Sequence, residues 1–459
     1  MKTKNILRIF LCEMFVLGSI AIQAQTKVYV HKSNGLSVEF NIADIDSISF
    51  NPGISSQSIE LTSPIRENTT LRDLGLPIDY YFNGNELDVE NNAVLTIEPG
   101  VTIQFRSKSG LLYINDGATL KAIGTAGKHI QFIGALEDKG SWQGIKINTS
   151  WTSAELKNEL NYVEILNAGS QNYNYSAALY LENNGKIAVT NSLIDGSSSN
   201  GIDIYDLSQG IAELTSFSYN TVSNCNKAPI RTDYDAGPYG MRNMDNTNTF
   251  TGNGEEYIHC ANGDVVNTFG SNLTLRNLNG YPWYFENGIN LDFDQNLTVE
   301  PGTIIMMGPL SRIYVPINSH FIADGTAVAH ITIKGFRSDA GYWDGIQILS
   351  QTVGTKLNYC DISDGGGETS YTSNIYMCTG SAPGANSYLE INNTTISNSQ
   401  RYGMHLSNYN SNDENCIISS SNPASVTFSG CQMGNIYSNC DNNKYVIYPD
   451  LSSTCNLGK

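Results

Sequence analysis

Positive charge is scarce in this chain of 459 residues, where 26 Lys and Arg stand against 44 Asp and Glu for a formal charge of -18. Phosphate backbones and anionic lipid are held by Lys and Arg that release counterions, so this balance excludes nucleic acid and disfavours polyanions over most of the surface. Histidine is rare, with six residues, and no CxxC pair or His/Cys cluster has zinc-ligand spacing. Outside one segment near the start, no run approaches the roughly 18 apolar residues needed to cross a bilayer. Long amphipathic helical periodicity is missing as well, which leaves strands as the regular structure.

The one apolar segment, Met14 to Ile22, follows Lys2, Lys4 and Arg8 and precedes Ile22-Gln23-Ala24. That order predicts a secretory signal over residues 1–24 and an extracytoplasmic destination: secreted, periplasmic or at the cell surface. Glu13 is an atypical interruption, and Cys12 lacks the small residues that precede a lipid-modified cysteine. Removing residues 1–24 takes away three positive charges and Glu13, which moves the formal charge from -18 to -20. Eight of nine cysteines remain, an even number that permits disulfides without specifying their pairing.

Most of the remainder says the same thing twice. LTIEPG at Leu95–Gly100 returns as LTVEPG at Leu297–Gly302, 202 positions on, and Gly124-Thr125-Ala126 returns as Gly325-Thr326-Ala327. Trp142-x-Gly144-Ile145 recurs as Trp343-x-Gly345-Ile346, and Asn161-Tyr162-Val163-Glu164-Ile165 as Asn358-Tyr359-Cys360-Asp361-Ile362. Such self-similarity signals a repeat architecture. We divide the chain into residues 25–56, a short β segment and linker with Asn34-Gly35 as a hairpin turn, and a duplicated region 57–459, with copies at about 57–262 and 263–459. Within a copy, apolar residues alternate in short runs (Leu95, Ile97; Val101, Ile103; Leu112, Ile114) broken by Gly, Asn, Asp and Pro. Dense Asn-Gly turns favour stacked coils over a sandwich, because Asn tolerates left-handed backbone and can bond to the coil above. Trp142 and Trp343 read as packing anchors, and Cys360, in place of Val163, as a core thiol.

The strings AVLTIEPGVTIQF, ATLKAIGTAGKHIQFIGA and GSWQGIKI, with their second copies, resemble secreted, pectin-lyase-like right-handed parallel β-helix proteins of Gram-negative bacteria. The resemblance covers about residues 60–459 and implies an all-β, right-handed parallel β-helix solenoid with two internally duplicated halves. It leaves function open, since such scaffolds carry lyases, hydrolases, adhesins and binding proteins. Val28 to Phe50 resembles a short segment that follows the signal in such exported proteins. At 20 to 25 residues a coil, the duplicated region predicts roughly sixteen to twenty coils over roughly 75 to 95 Å, with Tyr445 to Tyr448 and Cys455 as a terminal cap.

Candidate sites follow from charge and aromatic density. The 35 residues from Cys225 to Cys260, against nine from Cys431 to Cys440, predict an insertion in the first copy, carrying Arg231, Asp233, Tyr234, Asp235 and Arg242. Arg beside Asp is the chemistry of a sugar or uronate site, with Asp able to hold calcium or move protons; solvated charges on a polar coil are the plainer account. A hydrolase needs two carboxylates across the scissile bond, a lyase a base and a cation. The Asn-Thr-Asp, Asp-Asp, Gly-His-Gly and Arg-x-Lys strings of β-helix polygalacturonases do not occur, and no catalytic residue is assigned. Tyr173, Tyr175 and Tyr371, in matched segments, are candidates for stacking on sugar rings. His129 and His330 match each other as turn residues, and His405 stands where Asp203 stands in the first copy. Asp361 to Gly367 is a turn that calcium would suit. The expectation is therefore a non-catalytic scaffold that binds glycans or surface partners, with a polysaccharide lyase or glycoside hydrolase as the alternative.

Overall fold

A computed structural model describes residues 27–31, 37–41 and 57–448, apart from 116, 150–156, 171–176, 207–211, 235–236, 262–263, 266–271, 368–372, 380–385, 408–415 and 439–445. The chain forms two compact units, Met1–Ile54 and Ser55–Lys459. In the first, Lys27–His31 pairs antiparallel with Ser37–Asn41; Asn34-Gly35 lies outside the described residues. The second is a parallel β-helix solenoid: its ladders are parallel, and no α-helix occurs among the described residues.

A typical coil contributes one strand to each of three faces; the coil with Thr249–Thr251 and Ile258–Cys260 instead has a 3-10 turn, Pro238–Met241, where the six-stranded sheet ends. In the first copy the chain visits a six-stranded sheet, an eight-stranded sheet and a 13-stranded sheet, here the long sheet, in that order. From Asp264–Val265 onward it runs instead through two seven-stranded sheets and the same long sheet. One of the two contains Ile289–Leu291, Arg312–Val315, Gly345–Ile348, Ser373–Cys378, Tyr402–Ser407 and Gly434–Ser438, and is called the late sheet. Thr102–Phe105 lies in the eight-stranded sheet, yet its copy Ile304–Met307 lies in the long sheet; Leu111–Ile114 lies in the long sheet, yet its copy Arg312–Val315 lies in the late sheet. The copies are therefore stacked with a rotation of one face, because the duplicated length does not correspond to a whole number of coils.

Coils are longer than the repeat spacing suggests. Adjacent partners in the long sheet are 22 residues apart at Tyr284 and Met306 and 34 apart at Lys146 and Tyr180. Thirteen strands span only about 60 Å at about 4.8 Å per strand, fewer and longer coils than expected, since corner segments absorb the extra residues. The presumed insertion also disappears: Ile230–Tyr234 follows Asn200–Asp206 in its sheet just as Gly434–Ser438 follows Tyr402–Ser407, so Cys440 is not the counterpart of Cys260. Val446–Tyr448 is a further strand, paired with Cys416–Ser419.

Inside the rod, alternate residues stack as continuous apolar rows such as Leu112, Ile145, Leu179, Ile202, Ile230 and Ile258, all buried. Trp142 and Trp343 are fully enclosed, and their indole Nε1 groups donate to the carbonyls of Leu166 and Ser363 at 2.9 and 2.7 Å. Two residues on, Gly144 and Gly345 have φ of +124° and +109°, and a Cβ would sit 2.3 and 2.2 Å from the carbonyl oxygens of Ala178 and Ser373 in the next coil. The Trp-x-Gly-Ile motif thus fixes an anchor and a close backbone approach together. Corners use left-handed Asn: Asn191 and Asn393 have φ of 51° and 47° and donate to Asn161 and Asn358 of the preceding coil at 2.9 and 3.0 Å. Cys225, Cys260, Cys360, Cys378, Cys416 and Cys431 are free thiols. Burial pushes Cys225, Cys260 and Cys360 up to about 12, so they behave as core residues.

Candidate functional site on the long sheet

Because the apolar row points inward, the residues between its members point out. On the long sheet those positions run in unbroken register: Asp88, Tyr113, Lys146, Tyr180, Asp203, Arg231, His259, Tyr284, Met306 and Lys334. Lys146 is only 6% exposed; its ammonium lies 4.6 Å from the Tyr113 ring centroid and 2.6 Å from Glu182 Oε2. Asn148 donates to the Tyr113 hydroxyl at 3.0 Å, and Tyr180 stacks on Tyr205 with centroids 6.3 Å apart.

Asp203 and Arg231 form the middle of the row. Asp203, also 6% exposed, accepts from Asn200 Nδ2 at 3.2 Å through one oxygen; its other oxygen has no hydrogen bond, only the Arg231 guanidinium at 3.5 Å. Burial raises its pKa to about 6, against the opposing attraction of Arg231. Arg231 also donates to Asp233 at 2.6 Å. Burial disfavours its charge, but Asp203 and Asp233 together outweigh that and raise its pKa. Held on both sides, Arg231 is neither a base nor a free cation for a substrate carboxylate.

Beyond Arg231 the row becomes aromatic. His259 lies between Glu255 at 3.4 Å and Glu286, which its Nε2 meets at 3.1 Å, and the closeness of the imidazole holds the Glu255 carboxyl below the usual range. Tyr257 and Tyr284 pack against His259 and Phe336 against both tyrosines, with Tyr257 and Tyr284 centroids 4.9 Å apart and Tyr284 and Phe336 also 4.9 Å. Phe336 is 43% exposed, so this cluster opens to solvent. Burial, then Glu286, pushes the Tyr284 hydroxyl up to about 12.

The sequence candidates separate in space. Arg231 and Asp233 belong to this row, and Tyr234 ends the same strand in register with Asp206. Arg242 lies elsewhere: it pairs with Glu213 of the six-stranded sheet and stacks over Tyr239 at 4.0 Å. Tyr173, Tyr175, Tyr371 and Asp235 lie outside the described residues. The described strands that follow those positions, Ala177–Glu182 and Ser373–Cys378, lie in the long sheet and the late sheet respectively. His129 and His330 pair with Glu164 and Asp361 at 2.8 and 3.0 Å, a repeated turn contact. In the Asp361 to Gly367 turn, Asp364 accepts from Asn398 at 2.7 Å and Ser363 at 2.9 Å. Among the described residues, no group of three or more His, Cys, Asp or Glu is arranged to hold a metal ion, and no helix is long and apolar enough to cross a membrane.

The sequence reading missed Tyr113, Lys146, Tyr180, Asp203, His259 and Tyr284. Their signal was local, a polar or aromatic residue between two inward residues, as in Leu112-Tyr113-Ile114, Ile145-Lys146-Ile147 and Ile202-Asp203-Ile204. No protein-family model, curated protein or solved structure is significantly similar to the chain.

Proposed function

We propose that this is an exported, pectin-lyase-like β-helix scaffold of the kind found in Gram-negative bacteria, and that it binds glycan along the outer face of the long sheet. The observation that carries the proposal is the outward row from Tyr113 to Tyr284, which places aromatic rings and polar groups at successive coils. Sugar rings offer apolar faces to such aromatics and hydroxyls to the polar groups. Lys146 and Arg231 are already matched by Glu182, Asp203 and Asp233, and Glu255 and Glu286 add further negative charge. A polyuronate is therefore disfavoured, contrary to the role first given to Arg231, and neutral or amino-bearing glycans suit the face better. The test is migration of the mature chain in gels containing defined polysaccharides. Retardation by at least one glycan, weakened several-fold by Phe336→Ala, is expected; unchanged migration in every gel refutes the proposal.

One observation favours a hydrolase as second reading. Asp203 keeps a proton to about pH 6 and shares Arg231 with a second carboxylate, Asp233, the pairing of acid and base that glycoside hydrolysis uses. Release of reducing ends that is abolished by Asp203→Asn would establish that reading, and its absence across the same panel would dismiss it.

A further inference from the structure

We infer that the late sheet carries a second, uncharged binding row for neutral saccharide, on a different face of the rod from the charged row. Its outward positions run in register as Asn290, Tyr314, Gln347, Tyr376, His405 and Tyr437. These are the duplicated counterparts of Asp88, Tyr113, Lys146, Tyr180, Asp203 and Arg231. Both tyrosines persist, whereas all four charged positions have become neutral or weakly basic. Core packing does not explain the persistence, because the inward residues on either side, such as Ile346, Ile348, Ile375 and Met377, fill the core.

A second observation points to a ligand. In the first copy the equivalent polar groups are paired, Lys146 with Glu182 and Asp203 with Arg231. In the second copy Gln347 is 7% exposed and its Oε1 has no hydrogen-bond partner, and neither ring nitrogen of His405 has one. A buried polar atom left in this state has given up its hydrogen bond to water without replacement, and native proteins tolerate few of them. The His405 ring is flanked edge-on by Tyr376 and Tyr437, at 5.1 and 5.0 Å, and burial keeps it neutral by lowering its pKa.

A neutral imidazole offers one donor and one acceptor, and the Gln347 oxygen is an acceptor. Hydroxyl groups, which both donate and accept, complement that set. Among the described residues His405 makes no ion pair, and Arg312, which lies over the Tyr314 ring at 5.4 Å, stands three strands away. Access is provided at the other end, where Tyr437 is 38% exposed and stacks on Tyr402 with centroids 4.9 Å apart. The inference rests on the glycan reading above and adds to it a second face and a ligand class.

The experiment uses the mature chain in gels containing a neutral β-glucan, mannan or xylan, beside gels containing polygalacturonate or chitosan. Variants Tyr437→Ala and His405→Leu are compared with Val328→Ser, which alters an almost fully exposed turn residue, and each is checked by its melting temperature. Retardation by a neutral glycan that falls at least tenfold in Tyr437→Ala, with folding intact, and persists in Val328→Ser is the expected result. Neutral-glycan retardation unaffected by both Tyr437→Ala and His405→Leu overturns the second row. Retardation by charged glycans alone also overturns it while leaving the glycan reading in place, and no retardation by any glycan overturns both.

Discussion

Asp203 shows how one residue acquires chemistry from its place in a ladder. The same Asp on an exposed turn would be an ordinary carboxylate; sealed between Tyr180 and Arg231, it keeps its proton to about pH 6. Its folded pKa is raised above the unfolded value, so between about pH 4 and 6 the folded chain holds a proton that the unfolded chain has lost. This group therefore costs stability progressively as pH rises through that window, by about 3 kcal/mol when fully ionised. We expect Asp203→Asn to remove that slope, measured as melting temperature against pH. Arg231→Gln should move the Asp203 titration upward in carbon-detected NMR, because the guanidinium is the main opposing influence. A downward or absent shift would show that Arg231 does not hold the carboxylate.

Within single elements, the decisive constraint is the contact between coils. Gly345 opens its strand with φ of +109°, and any Cβ there meets the Ser373 carbonyl oxygen. Gly345→Ala is expected to destabilise the rod by about 1 to 3 kcal/mol from backbone strain alone, with more from the collision. Ala at Gly127, whose Cβ would meet nothing within 4 Å, should leave the denaturation midpoint within error. Equal midpoints for the two variants would show that the close approach does not constrain the fold. The motif carried this information in one dimension: Trp, Gly and Ile at fixed spacing marked an anchor, an approach and an inward strand residue in both copies.

Across the whole solenoid, the long sheet passes without a break from one copy into the other. Ile258–Cys260 pairs with Arg231 and Thr232 on one side and with Trp283–Phe285 on the other. Stability of a stacked rod is close to a sum of neighbour interfaces, and in this sheet parallel pairing continues across the boundary, through two residue pairs on one side of Ile258–Cys260 and three on the other. Hydrogen exchange should therefore protect the amides of 258–260 and 283–285 as strongly as those of 145–147. Selective opening at 258–285 would instead show two domains joined end to end. The rotation by one face also separates equivalent residues, so a ligand extended along one face meets the charged row of one copy and not its neutral counterpart.

The sequence by itself determined the strand pattern, the duplication, the parallel solenoid, the tryptophan anchors and the paired His129 and His330 turns, because each depends on spacing within a coil or on identity between copies. It also pointed to Arg231 and Asp233 as charged candidates for a ligand, without showing that they bind each other. Only the tertiary structure decided that Arg231 is neutralised from both sides, that Arg242 belongs to another face, and that Tyr113, Lys146, Tyr180, Asp203, His259 and Tyr284 form one row. Those neighbours are 23 to 34 residues apart along the chain, a separation set by the variable length of the corners. Period-two alternation says that a side chain points outward; only the register between coils says what stands beside it.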